Sequence, residues 1–195
     1  MPSTSKASRF FELADQREVA FCQSINRAVQ FRPALGYFRL VSRLGDGWFW
    51  YALILFIPFL RPESGPGLAL LMALTGLTCT LSYKLLKRWL IRERPFISFP
   101  AINCGTPPLD RYSFPSGHTL HAACFQVMLT VAEPALALIV LPFTLSVAAS
   151  RVVLGLHYPS DVAAGALIGG LMGYAAMSWL HFFPNVVRWL RGPAI

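Results

Sequence analysis

Residues 134–156 read PALALIVLPFTLSVAASRVVLGL, 23 positions whose single charge is Arg151. A hydrocarbon core of about 30 Å, crossed at 1.5 Å per residue, asks for about 20 apolar residues, so this stretch reads as a membrane-spanning helix. Four neighbours approach the same length. Residues 44–60 start beside Asp46, with Trp48, Trp50 and Tyr51 as interfacial aromatics. Residues 64–83 carry no charge, 112–132 are apolar apart from His118 and His121, and 162–187 are interrupted only by His181. Breaks fall at residues 61–67, at Glu133-Pro134, and across the proline-bearing stretch 92–111. The expectation is an all-α polytopic membrane bundle of about five transmembrane helices. Gly165, Gly169, Gly170 and Gly173 permit close helix contact in it.

Composition points the same way. Apolar residues make up 55% of the 195 and charged ones 13%, against roughly 25% charged in a soluble domain. A disordered chain is excluded and a soluble globule disfavoured; the length suits a single domain. Seventeen Lys and Arg against nine Asp and Glu leave +8. Basic charge on an apolar chain suits anionic lipid or a phosphorylated substrate rather than nucleic acid. Cys22, Cys79, Cys104 and Cys124 are scattered with no Cys-x-x-Cys, which indicates neither a disulfide framework nor a zinc site.

The first 44 residues differ from the rest. Residues 1–8 show no basic-then-apolar signal pattern, so insertion is expected from internal segments. From 9 to 32, apolar Phe10, Leu13, Phe21, Ile25 and Val29 recur at helical spacing among charges, which predicts an amphipathic helix. It is expected to lie on the membrane surface; packing against protein is the other reading. After Pro33, residues 34–43 read as a second short surface helix. The chain is thus expected to be one domain, 1–44 interfacial and 45–187 the transmembrane bundle.

Polar residues at the ends of spanning helices are expensive, and three clusters gather there. In the first, Lys87 and Arg94 lie seven residues apart, two helical turns, which predicts one shared face before Pro95 stops the helix. Two cations there suit a phosphate; snorkelling to lipid headgroups is the bland alternative. In the second, Ser113-Phe114-Pro115-Ser116-Gly117-His118, Ser116 is placed to cap a helix. Gly117 then opens the free N–H groups to an anion, and His118 sits in the first turn. Simple capping also explains the cluster. His121, one turn on, reads as structural or site-lining. In the third, Arg151 ends a span, and Asp161 follows His157 by four residues, behind Pro159 at a helix start. A carboxylate so placed fixes an imidazole tautomer and raises the basicity of its other nitrogen. His157 is therefore a candidate nucleophile. A metal site is the rival, opposed by the nearby cations.

In order, Lys87-x6-Arg94-Pro95, Pro115-Ser116-Gly117-His118 and Ser150-Arg151-x5-His157-x3-Asp161 resemble the three-part signature of the phosphatidic acid phosphatase type 2 superfamily. Every signature position is filled; the first 86 residues resemble the family only in hydropathy. The superfamily also holds soluble acid phosphatases and vanadium haloperoxidases, and here the apolar segments select the membrane lipid phosphatases. The resemblance implies that His157 attacks phosphorus, Asp161 orients it, and His118 protonates the leaving oxygen and later activates water. It implies that Lys87, Arg94, Arg151, Ser116 and Gly117 hold the non-bridging oxygens, with no metal or other cofactor.

The expected partners are a lipid phosphate substrate and membrane lipids, with no nucleic acid; oligomeric state is not readable. Undecaprenyl pyrophosphate is the first substrate implied, with phosphatidylglycerophosphate, phosphatidic acid and lipid A phosphate as alternatives. A non-catalytic lipid-binding protein is the reading of another class, and it has no use for paired histidines with an aspartate. The resemblance implies a bacterial inner-membrane protein with its site facing the periplasm. The positive-inside tally opposes this: seven basic residues before Asp46, with Lys84, Arg88, Arg92 and Arg111, share the site's side, against Arg61, Arg188 and Arg191.

Overall fold

The computed structural model describes residues 6–182, and every regular element among them is helical. The order is α1 (Lys6–Asn26), a 3₁₀ turn (Arg27–Gln30), α2 (Arg32–Arg43), a π turn (Leu44–Trp48), α3 (Phe49–Leu60), α4 (Gly65–Trp89), the one-turn α5 (Pro95–Ser98), α6 (Gly117–Ala132), α7 (Pro134–Val153) and α8 (Pro159–Phe182). Four helical stretches are long and apolar enough to cross a membrane: Arg32–Leu60, Gly65–Trp89, Pro134–Val153 and Pro159–Trp179. The fifth bundle member, α6, has 16 residues, about 24 Å of helix. The expected end of the last span at 187, and Arg188 and Arg191, lie outside the described residues.

The short helix sits at the centre. Leu120, Ala122, Cys124, Met128 and Leu129 of α6 are fully buried, and α6 packs on α8, α7 and α4. Its contact with α8 is closest because glycines repeat every four residues. A Cβ at Gly165 would stand 2.6 Å from the Ser116 carbonyl oxygen and one at Gly173 2.5 Å from that of Cys124; one at Gly169 would collide with that of Leu120. Gly170 faces elsewhere, with only Val127 within 4 Å. Around this axis α3 packs on α4 and α2 on α7. Leu55, Phe59, Leu138, Ile139, Leu145 and Leu167 point outward, an apolar belt suited to hydrocarbon rather than water.

Several boundaries differ from the expectation. The helix expected over 34–43 is α2, which begins two residues earlier at Arg32 and meets α3 across a kink in the π turn. The kink falls at Gly47, whose φ of 132° is open to glycine and strained for other residues. Residues 112–116 precede α6 rather than opening it, since helical geometry is disfavoured before Pro115. At the far end of α7, Gly155 takes φ 71° and stops the helix two residues after Val153.

On the N-terminal helix the side bearing Val19, Cys22 and Ile25 is covered by protein, while Phe21 stays exposed. Cys22 is buried with Ile102, Val152 and Tyr158, and Val19 and Ile25 pack around them. Asn26 latches the end of α1, donating to the carbonyls of Asn103 and Val153 at 2.9 Å each and accepting from the Asn103 N–H at 2.7 Å.

Candidate active site

All three clusters converge at one end of the bundle. Lys87, Arg94, Gly117, His118, Arg151 and His157 line a single cavity of about 640 Å³. Lys87 and Arg94 reach it by a different route from the one their spacing suggests. α4 ends at Trp89, and Arg94 is extended (φ −78°, ψ 151°), so the two do not share a helix face. Past the end of α4, Arg92 turns toward α1 and α8, where it pairs with Asp15 and Asp161. Both cations meet again on Asp110: Lys87 Nζ lies 2.9 and 2.8 Å from its two carboxylate oxygens, and Arg94 Nη2 2.9 Å from Oδ1.

His157 follows α7 in the turn that Gly155 begins, and only 1% of it is exposed. Arg94 Nη1 lies 3.2 Å from its Nε2. A guanidinium has no lone pair to offer, so Nε2 must be the acceptor and the ring proton belongs on Nδ1. Nδ1 faces Asp161 Oδ2 at 3.6 Å, longer than a formed hydrogen bond. Burial, then the positive charges of Arg94, Arg151 and Lys87, hold the imidazole well below its ordinary pKa. The result is a neutral ring whose Nε2 lone pair is held by Arg94 at the cavity wall. Asp161 is fully buried in the first turn of α8, where its Oδ2 accepts the Tyr158 N–H at 2.8 Å.

On the opposite wall, α6 begins with Ser116 as its cap, accepting from the Thr119 N–H and pairing with the Thr119 hydroxyl at 3.0 Å. Ser116 is fully buried and absent from the cavity lining. Gly117 and His118, first in the helix, do line it, and the first N–H groups of a helix have no intrahelical acceptor. Arg151 is 2% exposed and bonds the Ser42 hydroxyl from α2. His121 lines the apolar side, with Nδ1 2.9 Å from the Gly117 carbonyl and Nε2 3.1 Å from both the Thr80 hydroxyl and the Gly76 carbonyl.

Three participants were not singled out from sequence. Asp46, brought to the cavity at the kinked π turn, stands 3.4 Å from His118 Nε2; its only advance signal was a lone carboxylate at the start of an apolar segment. Asp110 sits on the two cations. Arg92 donates from Nη1 to Asp161 Oδ1 at 2.5 Å. Beyond the polar end, the cavity continues between α3 and α4 past Ile54, Leu55, Met72 and Leu77. Leu55 and Leu77 are exposed on the outer surface, so this trough adjoins the lipid-facing side.

The model of the PAP2 superfamily matches residues 66–184. A decaprenylphosphoryl-5-phosphoribose phosphatase of Mycobacterium tuberculosis is 33% identical over 173 residues, covering 83% of this chain and 90% of that protein. The protein of the same name from Mycolicibacterium smegmatis is 46% identical over 82 residues, which span 41% of this chain and 42% of that protein. Among solved structures, the transmembrane PAP2 type phosphatidylglycerolphosphate phosphatase from Bacillus subtilis superposes with a TM-score of 0.67 at 27% identity, covering 90% of this chain and 94% of that one.

Proposed function

The chain belongs to the PAP2 superfamily as a multi-pass membrane phosphatase, and from that premise we propose that it dephosphorylates a lipid-linked phosphate through a phosphohistidine on His157, without metal. The observation that carries this reading is His157 in the wall of a cavity shared with Lys87, Arg94 and Arg151, with Asp161 behind its Nδ1 and an apolar trough beyond.

The steps follow from the geometry. The substrate phosphate displaces Asp110 from Lys87 and Arg94, and Arg151 and the Gly117 N–H take further oxygens. Ser116 contributes by holding the helix start that presents those N–H groups. Arg94 turns from Nε2 to phosphate, freeing the lone pair to attack phosphorus. The P–N bond forms as the P–O bond to the lipid breaks, and His118, which takes up a proton when the anionic substrate binds, gives that proton to the leaving oxygen. Asp161 stabilises the positive charge that develops on His157. Water then attacks the phosphohistidine, loses a proton to His118, and releases phosphate as the P–N bond breaks.

The apolar trough suits a lipid tail lying between α3 and α4 with its phosphate at the interface. Polyprenyl carriers head the substrate panel: undecaprenyl pyrophosphate, and decaprenylphosphoryl-5-phosphoribose, which the mycobacterial relatives carry in their names. Phosphatidylglycerophosphate, phosphatidic acid and lipid A phosphate complete it. The test is phosphate release from each lipid by detergent-purified protein in excess chelator. Release from at least one is expected at an undiminished rate; dependence on added magnesium would sink the metal-free reading.

Asp110 gives a second test. Burial raises its carboxyl pKa, but the hydrogen bonds and charges of Lys87 and Arg94 overcome this and hold it below the usual carboxylate range. It is therefore ionised throughout pH 5–8 and competes with phosphate for the same two cations. Asp110→Asn should tighten vanadate inhibition about fivefold, the scale of ~1 kcal/mol for a half-exposed charge pair, by the same factor across that range. Weaker inhibition would mean that Asp110 holds the cations in place instead of occupying their site.

We place the site on the periplasmic face of an inner membrane. Cys104, the one exposed cysteine among the described residues, lies in the loop before α6 on the site's side. An impermeant maleimide should label it in intact spheroplasts; labelling only after lysis would turn the protein over.

A further inference from the structure

Arg92 is buried almost completely, at 2% exposure, and its fork joins two helices far apart in sequence. Nε and Nη2 donate to Asp15 Oδ1 of α1 at 2.9 and 2.6 Å, and Nη2 lies 3.4 Å from Glu18 Oε1. Nη1 donates to Asp161 Oδ1 at 2.5 Å and to the Ser160 hydroxyl at 2.7 Å, both in the first turn of α8. Glu18 Oε2 also accepts the Ser160 N–H at 2.8 Å, so α1 supplies an outside cap to the helix that carries Asp161. The guanidinium stacks on Tyr158, its central carbon 4.0 Å from the ring centroid.

We propose that α1 belongs to the catalytic apparatus: Asp15 and Glu18 are positioning residues that, through Arg92 and Ser160, hold Asp161 and therefore His157 in attacking geometry. The argument is one of charge. Arg92 paired with Asp161 alone would draw the carboxylate's negative charge away from His157 Nδ1 and leave the rest of its fork unmet in a buried site, which is costly. Asp15 takes Nε and Nη2, so only Nη1 remains for Asp161, enough to fix Oδ1 while Oδ2 faces the imidazole. Glu18 then pins the backbone of the residue before Asp161. Partners one layer behind a reacting group commonly set its performance by about 10- to 100-fold.

This inference rests on the phosphohistidine reading, and the experiment separates the two. Asp15→Asn/Glu18→Gln keeps side-chain volume and removes both charges. The measurements are kcat and KM for the best lipid substrate and for p-nitrophenyl phosphate, with Tm in the same detergent. Expected is a kcat loss of about 10- to 100-fold on both substrates, with KM within twofold, beside the fall in Tm that comes from taking charged partners from buried Arg92. Val19→Ala, which loosens the packing of α1 without touching the charges, is the control and should lower Tm while keeping kcat. Unchanged kcat in the double variant overturns the proposal, as does a kcat loss that tracks Tm in both proteins. Should the double variant not accumulate, Glu18→Gln alone carries the same kcat-against-KM split. His157→Ala is run alongside: turnover there would fail the phosphohistidine reading itself, and the proposal with it.

Discussion

His157→Ala should lower phosphate release by on the order of 10⁴-fold or more, about 5.5 kcal/mol of transition-state stabilisation, with no comparable change in Tm. The size follows from its position. His157 is the group through which the reaction divides into two displacements, with Arg94 at its Nε2 and the Asp161 carboxylate behind its Nδ1. Alanine removes the nucleophile and leaves Arg94, Arg151 and Lys87 in place, so vanadate or phosphate should still bind. That split distinguishes lost chemistry from a lost site. The fold should tolerate the change because the ring makes few bonds: Nε2 meets Arg94, and Nδ1 makes no formed hydrogen bond. Denaturing gels of wild type quenched during turnover should carry an acid-labile, base-stable phosphate, and His157→Ala should carry none. Turnover within tenfold of wild type would remove His157 from the nucleophile's role.

What was legible beforehand divides along a physical line. Residues whose geometry is set by near neighbours in sequence were readable: Ser116 caps α6, Pro159 opens α8, and Asp161 stands behind His157 four positions away. The helical membrane bundle was readable because the bilayer demands long apolar runs, of which the described residues hold four. Residues whose role depends on tertiary approach were not. Asp110 and Asp46 are isolated carboxylates in sequence, and only the fold carries them to Lys87 and Arg94 or to His118. Arg92 read as one more basic residue in a basic run, because its partners lie 77 and 69 positions away. Lys87 and Arg94 show the opposite hazard: their spacing suggested a shared helix face, yet they converge after the helix has ended. The amphipathic pattern of residues 9–32 could not say what would cover the apolar side, since protein and lipid bury the same residues. The two carboxylates beside that side were the better clue, because they find a buried guanidinium only if the helix docks on protein.

Gly169→Ala should destabilise the protein by about 3 kcal/mol or more, at the upper end of overpacking costs, and should read as a large fall in Tm in detergent. The added methyl would collide with the backbone of Leu120, its carbonyl oxygen first. A side chain in that place could turn aside; a helix backbone cannot, so α8 must move away from α6 as a body. Moving it also opens the contacts at Gly165 and Gly173, where the Ser116 and Cys124 carbonyls lie against the same face. Gly170→Ala is the internal control. Its Cβ would meet only Val127 Cγ2, at an ordinary 3.9 Å, and there alanine should be neutral or slightly stabilising, by up to about 1 kcal/mol, through helix propensity. The consequence reaches the site because α6 begins at Ser116-Gly117-His118 and α8 carries Asp161, whose carbonyl accepts the Ser116 N–H at 3.1 Å. Separating the helices parts the wall bearing His118 from the wall bearing His157. Residual folded Gly169→Ala protein should therefore lose kcat as well as stability, whereas Gly170→Ala keeps both. Equal Tm for the two variants would mean that helix approach at the glycine face does not set the spacing of the catalytic walls.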